Sequence, residues 1–134
     1  MNPEPCFLSE NQIMAIHRNV VRAFGGDASV RDRRLLASAV AMPSATFEGR
    51  FLHSDLSAMA AAYLFHLCRN HPFVDGNKRT ALASAEVFLI VNGSRLEASD
   101  QILEDLTIQV AAGSLSKDEA TVFFRAHVKR LSQS

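Results

Sequence analysis

Residues 71–80 read His-Pro-Phe-Val-Asp-Gly-Asn-Lys-Arg-Thr. This short stretch gathers an imidazole, a carboxylate, a turn glycine, a capping amide and two cations. His71 can take up a proton near neutral pH, which suits it to general-base work. Asp75 offers the oxygen that a hard divalent cation such as Mg2+ prefers. Gly76 permits backbone shapes that side-chained residues resist, and Asn77 is a good helix N-cap. The unpaired N–H groups of a helix starting there, with the dipole behind them, form an anion site. Lys78 and Arg79 fall in the first turn of that helix, where the dipole disfavours cations. A bound phosphate would offset the conflict, and a local rule broken with an evident offset is a functional sign. Base, metal carboxylate and phosphate cradle together describe transfer from a nucleotide to a hydroxyl.

Each piece alone has a plain structural reading. A single histidine beside a helix end commonly caps or sits at the surface, and Asn-Lys-Arg can be a cap with solvated charges. Phe73 and Val74 read as core or loop anchors. Gly76 to Thr80 echoes a P-loop only faintly, lacking the first glycine of G-x-x-x-x-G-K-[ST] and an apolar strand before it. His71 and Asp75 cannot share a helix face for zinc, because Pro72 and Gly76 interrupt the helix. The weight lies in the co-occurrence.

The elements that must hold this stretch are helical. Pro72 cannot continue a helix and disfavours the helical conformation at His71, so the preceding helix ends near Asn70. Asp55 caps that helix, and Leu56, Met59 to Phe65 and Leu67 are apolar on nearly every side, which places it in the middle of a bundle. His66 within it reads as a satisfied core or boundary residue. The following helix runs from about Asn77 to Val91 and stops at Asn92-Gly93; Glu86 on it is expected to face solvent. Upstream, Ser9 and Gln12 form a capping box. Ile13, Ile16, Val20, Val21 and Phe24 then share a helical face, with His17 at its border as a structural hydrogen-bonder. Val30, Leu35, Leu36, Ala39, Val40 and Met42 suggest a second helix, stopped by Pro43. Ser94 to Ala98 reads as an extended connection. Ser99 caps a helix carrying Ile102, Leu103, Leu106 and Val110, and Ser116 with Glu119 opens another, whose apolar positions continue to Val128 and Leu131. Residues 1–8 read as a frayed lead-in. Strand signals are scarce, so the fold class is all-α: one domain over 1–134, a compact bundle of about six helices.

The central stretch resembles the Fic/Doc superfamily motif H-x-F-x-[DE]-G-N-x-x-R in its death-on-curing form, H-x-F-x-D-[AG]-N-K-R. His71, Phe73, Asp75, Gly76, Asn77, Lys78 and Arg79 all fall in place. Ile16-His17, Phe24-Gly25-Gly26, Arg31-Asp32 with Leu35-Leu36, and Phe88-Leu89 followed by Asn92-Gly93 extend the likeness over most of the chain. In the wider Fic pattern a glycine stands at the position of Lys78, and a second arginine, which helps hold nucleotide phosphates during AMP transfer, stands at that of Leu82. Both departures point to the Doc branch, which resembles a protein kinase with ATP bound in the reverse sense.

The resemblance implies the following roles. His71 is the general base, Asp75 binds Mg2+, and Lys78, Arg79 and the amides of Gly76 and Asn77 hold the phosphates of ATP, with Phe73 anchoring the loop. The γ-phosphate would pass to a Ser or Thr of a protein, with elongation factor Tu the first candidate, and growth would stop. A cognate antitoxin would cover the nucleotide site. A β-hairpin flap near 44–53 would lie against the target segment; Ser44-Ala45-Thr46-Phe47-Glu48-Gly49 also fits an inhibitory Fic pattern, off any evident helix and so by chance. AMP transfer by the same site and a catalytically idle interaction module are the alternatives.

Composition sets the outer bounds. The chain has 134 residues and 48% hydrophobic content, enough for one domain with a core and too much for disorder. No apolar run reaches a membrane span, and Met1 to Pro5 lacks a signal-peptide pattern, so a cytoplasmic protein is expected. Net charge is zero, which argues against a nucleic-acid coat as direct partner. One local excess, Arg18, Arg22, Arg31, Arg33 and Arg34, is either a solvated face or a dock for an acidic partner. Two cysteines are too few for a disulfide framework, and Cys68 reads as buried filler.

Overall fold

A computed structural model describes residues 4–131. Six helices carry the architecture: α1 (Glu10–Phe24), α2 (Arg33–Ala41), α3 (Leu56–Asn70), α4 (Asn77–Val91), α5 (Asp100–Ala112) and α6 (Lys117–His127). Two small antiparallel pairs accompany them, β1 (Thr46–Phe47) with β2 (Arg50–Phe51), and β3 (Ser94–Leu96) with β4 (Val128–Arg130). The all-α class and the end of α3 at Asn70 are as expected.

The apolar character of α3 all round puts it at the centre, packed against α2, α4, α5 and α6. Ala60 and Ala61 of α3 and Ala81 and Ala85 of α4 are wholly buried, so the two backbones approach closely. Tyr63, Leu64, Leu67, Phe88, Leu89 and Phe124 fill the core around them. Each large side chain so buried contributes about 1.5–3 kcal/mol. This antiparallel pair is the rigid base from which the connecting loop, residues 71–76, projects.

Four of the helix caps predicted from the sequence are present. Ser9 with Gln12 and Ser116 with Glu119 form complete boxes, and the side chains of Asp55 and Ser99 cap α3 and α5. Four differences have physical reasons. The lead-in is anchored and not frayed over its described part: Leu8 is buried, and its N–H donates to the Tyr63 hydroxyl at 2.8 Å. Residues 1–3 of it lie outside the described residues. Val30 precedes α2, because Asp32 accepts the N–H groups of Arg34 and Leu35 and starts the helix there; Val30 instead bridges to Phe73. α6 ends at His127, and Val128–Arg130 pairs with Ser94–Leu96 as a strand, a tertiary pairing too short to leave a period in the sequence. The Arg18–Arg34 excess is not a uniform free face, since Arg31 and Arg33 are engaged within the chain.

The hairpin falls within the expected 44–53 interval. Its turn residues Glu48 (φ 51°) and Gly49 (φ 77°) are both left-handed, as a two-residue hairpin turn matching strand twist requires. Phe47 stands 66% exposed, whereas Phe51 packs on Phe7, which stacks on Phe88 near the end of α4. Among the described residues no helix is long and apolar enough to cross a membrane.

Candidate active site

His71 closes α3 in the left-handed conformation (φ 50°, ψ 56°), uncommon for a residue with a side chain. Pro72 explains part of this, because it closes the ordinary helical region to the residue before it. Arg31 explains the rest: its Nε donates to the His71 carbonyl at 2.7 Å and its Nη2 to the Asn70 carbonyl at 3.1 Å. Two of the orphan carbonyls at the end of α3 are thereby satisfied. The Pro72 carbonyl accepts the N–H groups of both Arg31 and Asp32, and the Val74 N–H donates to Ser29. Segment 29–32 is thus a strap across the loop, and His71 is left exposed at its edge.

Phe73 turns inward, 1% exposed, and lies flat on the His17 ring with centroids 3.7 Å apart and planes 9° from parallel. His17 is itself buried in α1, and its Nε2 lies 2.7 Å from the Asp75 carbonyl. The structural role expected of His17 is therefore what its contacts describe. Val74, expected to be an anchor like Phe73, is instead 41% exposed, since the chain has to turn outward after the Phe73 wedge.

Asp75 is exposed, and its Oδ2 accepts the Asp27 N–H at 2.8 Å. Gly26 makes that approach possible: a Cβ there would come within 2.9 Å of the Asp75 Cβ, and its φ of +113° disfavours any other residue. Hydrogen bonds from Ser29 hold the neighbouring Asp27 carboxyl below the usual carboxylate range.

The start of α4 corrects one expectation. Asn77 is not the cap. Gly76 occupies that position at φ 80°, ψ 15°, with no side-chain hydrogen bond. Asn77 is the first helical residue, and its buried amide serves the loop, accepting the Phe73 N–H and donating to the Phe73 carbonyl. Its Nδ2 also lies 3.4 Å from His71 Nε2, a long contact. The consequence for chemistry is favourable: with glycine as cap, no side chain covers the first N–H groups of α4, and the helix end stays available to an anion. Lys78 and Arg79 are exposed beside it, and the Arg79 guanidinium lies 4.1 Å from the Phe24 ring centroid in cation–π geometry.

All six residues singled out from the sequence, His71, Asp75, Gly76, Asn77, Lys78 and Arg79, line one cavity of about 690 Å3. That is ample for a nucleotide-sized ligand. Three acidic residues that the sequence did not place at the site, Glu86, Asp100 and Glu104, line it too. Glu86, expected to face solvent, is half-buried, and burial first, then the Asp100 charge, raises its pKa. Its spacing offered a signal, since Arg79, Ala83 and Glu86 follow one helical face. Phe24 and Arg31 entered the sequence reading only through the family likeness, since their roles depend on long-range contacts. The cavity therefore has a cationic end at the helix start and an acidic end between α4 and α5. Among the described residues no three His, Cys, Asp or Glu side chains gather as a metal cage.

The chain belongs to the Fic/DOC family, whose family model matches residues 7–89. Within that family it falls in the Doc branch. It is 48% identical over 98 residues to "Toxin Doc" of Mycolicibacterium smegmatis, covering 72% of this chain and 75% of that one. It is 33% identical over 109 residues to "Protein kinase doc" of Escherichia phage P1, covering 81% of this chain and 85% of the relative.

Proposed function

We propose that this protein is a Doc-like toxin that transfers the γ-phosphate of ATP to a serine or threonine hydroxyl of a target protein. The observation that carries the reading is the convergence of His71, Asp75, the uncapped start of α4, Lys78 and Arg79 on one cavity. The names of the two relatives, a toxin and a protein kinase, support it.

His71 takes the proton from the target hydroxyl, whose oxygen then bonds to the γ-phosphorus. The bond from that phosphorus to the β,γ-bridging oxygen breaks, and ADP leaves. Charge building on the transferred group is met by Lys78, Arg79 and the amides of Gly76 and Asn77. Positioning and electrostatics are most of what this chemistry asks of a protein. Asp75 fits Mg2+ as a single exposed carboxylate, already oriented by the Asp27 N–H; the remaining ligands would be phosphate oxygens and water, the usual arrangement for this ion. When bound, Mg2+ would neutralise phosphate charge. Asn77 acts through its backbone, because its side chain is committed to Phe73.

On the family likeness the target is a translation factor, elongation factor Tu first, and a cognate antitoxin restrains the protein in the cytoplasm. The exposed β1–β2 hairpin supplies an edge on which a target segment can add a strand. Lys78 and Leu82, at positions where AMP-transferring relatives carry glycine and arginine, favour γ-phosphate transfer. The test is incubation with the target and ATP labelled separately at the α and γ phosphates. The γ label alone is expected on protein, and His71→Asn, which tolerates the left-handed backbone, should lower labelling about 10^2- to 10^4-fold. Transfer of only the α label would replace this reading with AMP transfer. No label together with no ATP-induced rise in melting temperature would leave an interaction module.

A further inference from the structure

One side chain that never reaches the cavity controls a group that does. The His17 ring makes two contacts with the loop and lies beside Gly76. It lies flat under Phe73, its Nε2 meets the Asp75 carbonyl at 2.7 Å, and a Cβ on Gly76 would stand 3.6 Å from its Nε2. A carbonyl oxygen only accepts, so Nε2 carries the proton and donates. This contact fixes the plane of the Asp75–Gly76 peptide. In a planar trans peptide the C=O and the following N–H point in opposite directions. The Asp75 carbonyl points at a ring that is 1% exposed; the Gly76 N–H therefore points away from the interior, and Gly76 lines the cavity. No acceptor in the described residues takes that N–H.

We propose that His17 is a positioning residue: its Nε2–H holds the Asp75 carbonyl inward so that the Gly76 N–H faces the cavity as a preset donor to a phosphate oxygen. This rests on the proposed function for the identity of the anion, but the orientation can be read without turnover. Gly76 can make the required left-handed bend (φ +80°), yet its freedom also lets the peptide flip. The imidazole removes the alternative. Preset donors of this kind need no reorganisation when charge develops.

The experiment uses inorganic pyrophosphate and the backbone amide spectrum of the full chain. In the wild type, saturation with pyrophosphate should move the Gly76 amide signal. His17→Phe keeps a flat ring against Phe73 and removes the donor; the Gly76 response should vanish and pyrophosphate affinity should fall about tenfold or more. His17→Gln restores an N–H at a similar reach and should recover much of both, which a purely packing role would not predict. A full Gly76 response in the phenylalanine variant, or none in the wild type, overturns the proposal. If the phenylalanine variant does not fold, the ring nitrogen spectrum of the wild type decides: a protonated Nε2 supports the brace, and a bare Nε2 overturns it, since two acceptors cannot bond. A wild type that binds pyrophosphate through Gly76 yet labels no protein would remove the proposed function and leave this inference standing.

Discussion

The side-chain amide of Asn77 makes two hydrogen bonds to a single residue, accepting the Phe73 N–H at 2.9 Å and donating to the Phe73 carbonyl at 2.9 Å. A buried side chain thereby stands in for a strand partner and closes the loop between α3 and α4. Asn77→Asp keeps the acceptor but sets a carboxylate against the carbonyl. Loss of one bond, with a buried carbonyl left unsatisfied and a charge set against it, costs at least about 1–3 kcal/mol, so the variant should be destabilised by at least that much in urea. Phosphoryl transfer should fall further than stability accounts for, because Asn77 also touches His71. An unaltered midpoint would show that the loop does not depend on this clasp.

Asp75→Asn is expected to fold normally, since its amide oxygen can still accept the Asp27 N–H. Its effect should appear in metal dependence. ATP should raise the melting temperature of the wild type more with Mg2+ than with chelator, as any ligand of the native state does. In the variant the two conditions should converge. Persistence of the full Mg2+ effect would remove Asp75 as the metal carboxylate.

Stability should fall on mild acidification through His66. Burial first, then the charges of Lys117 and His53, pull its pKa down to about 4, and Lys117 Nζ lies 3.3 Å from its Nε2. Between about pH 6.5 and 4 the unfolded chain binds a proton that the folded chain refuses, so stability rises with pH across that window and is lost below it. Allowing for partial exposure, the total is on the order of 2 kcal/mol. His53, pulled down chiefly by its own burial, adds in the same direction. Urea denaturation of His66→Gln at several pH values should show a shallower slope; an equal slope would place the sensitivity elsewhere.

The two cysteines should separate by reactivity. Cys6 is exposed, whereas burial pushes the Cys68 thiol up to about 12, and only the thiolate is nucleophilic. Titration with a chromogenic disulfide should report one thiol in the native protein and two in denaturant. Rapid labelling of both would mean that α3 is not sealed within the bundle.

What the sequence made legible follows the range of the interactions involved. α3 and α4, with their punctuation at Pro72 and Gly76, are set by local chemistry, and their boundaries were readable to within a residue. The six site residues were readable because they are consecutive or nearly so. The function of Asn77 was not: an asparagine beside a helix start looks like a cap, and only the structure shows Gly76 in that place and the amide turned to Phe73. Nor was β4, whose pairing depends on Ser94–Leu96 far upstream. The acidic end of the cavity needed α5 to be brought alongside α4, which no local pattern encodes.

The strap over the loop has a consequence for control. Residues 22–29 are exposed along their whole length, yet Asp27, Ser29 and, just beyond, Arg31 are what fasten the loop in its left-handed bend. A protease that nicked this one stretch would leave every group facing the cavity intact in sequence and still disarm it, by letting the tether go slack; limited digestion that abolishes transfer while the rest of the bundle survives would be the signature.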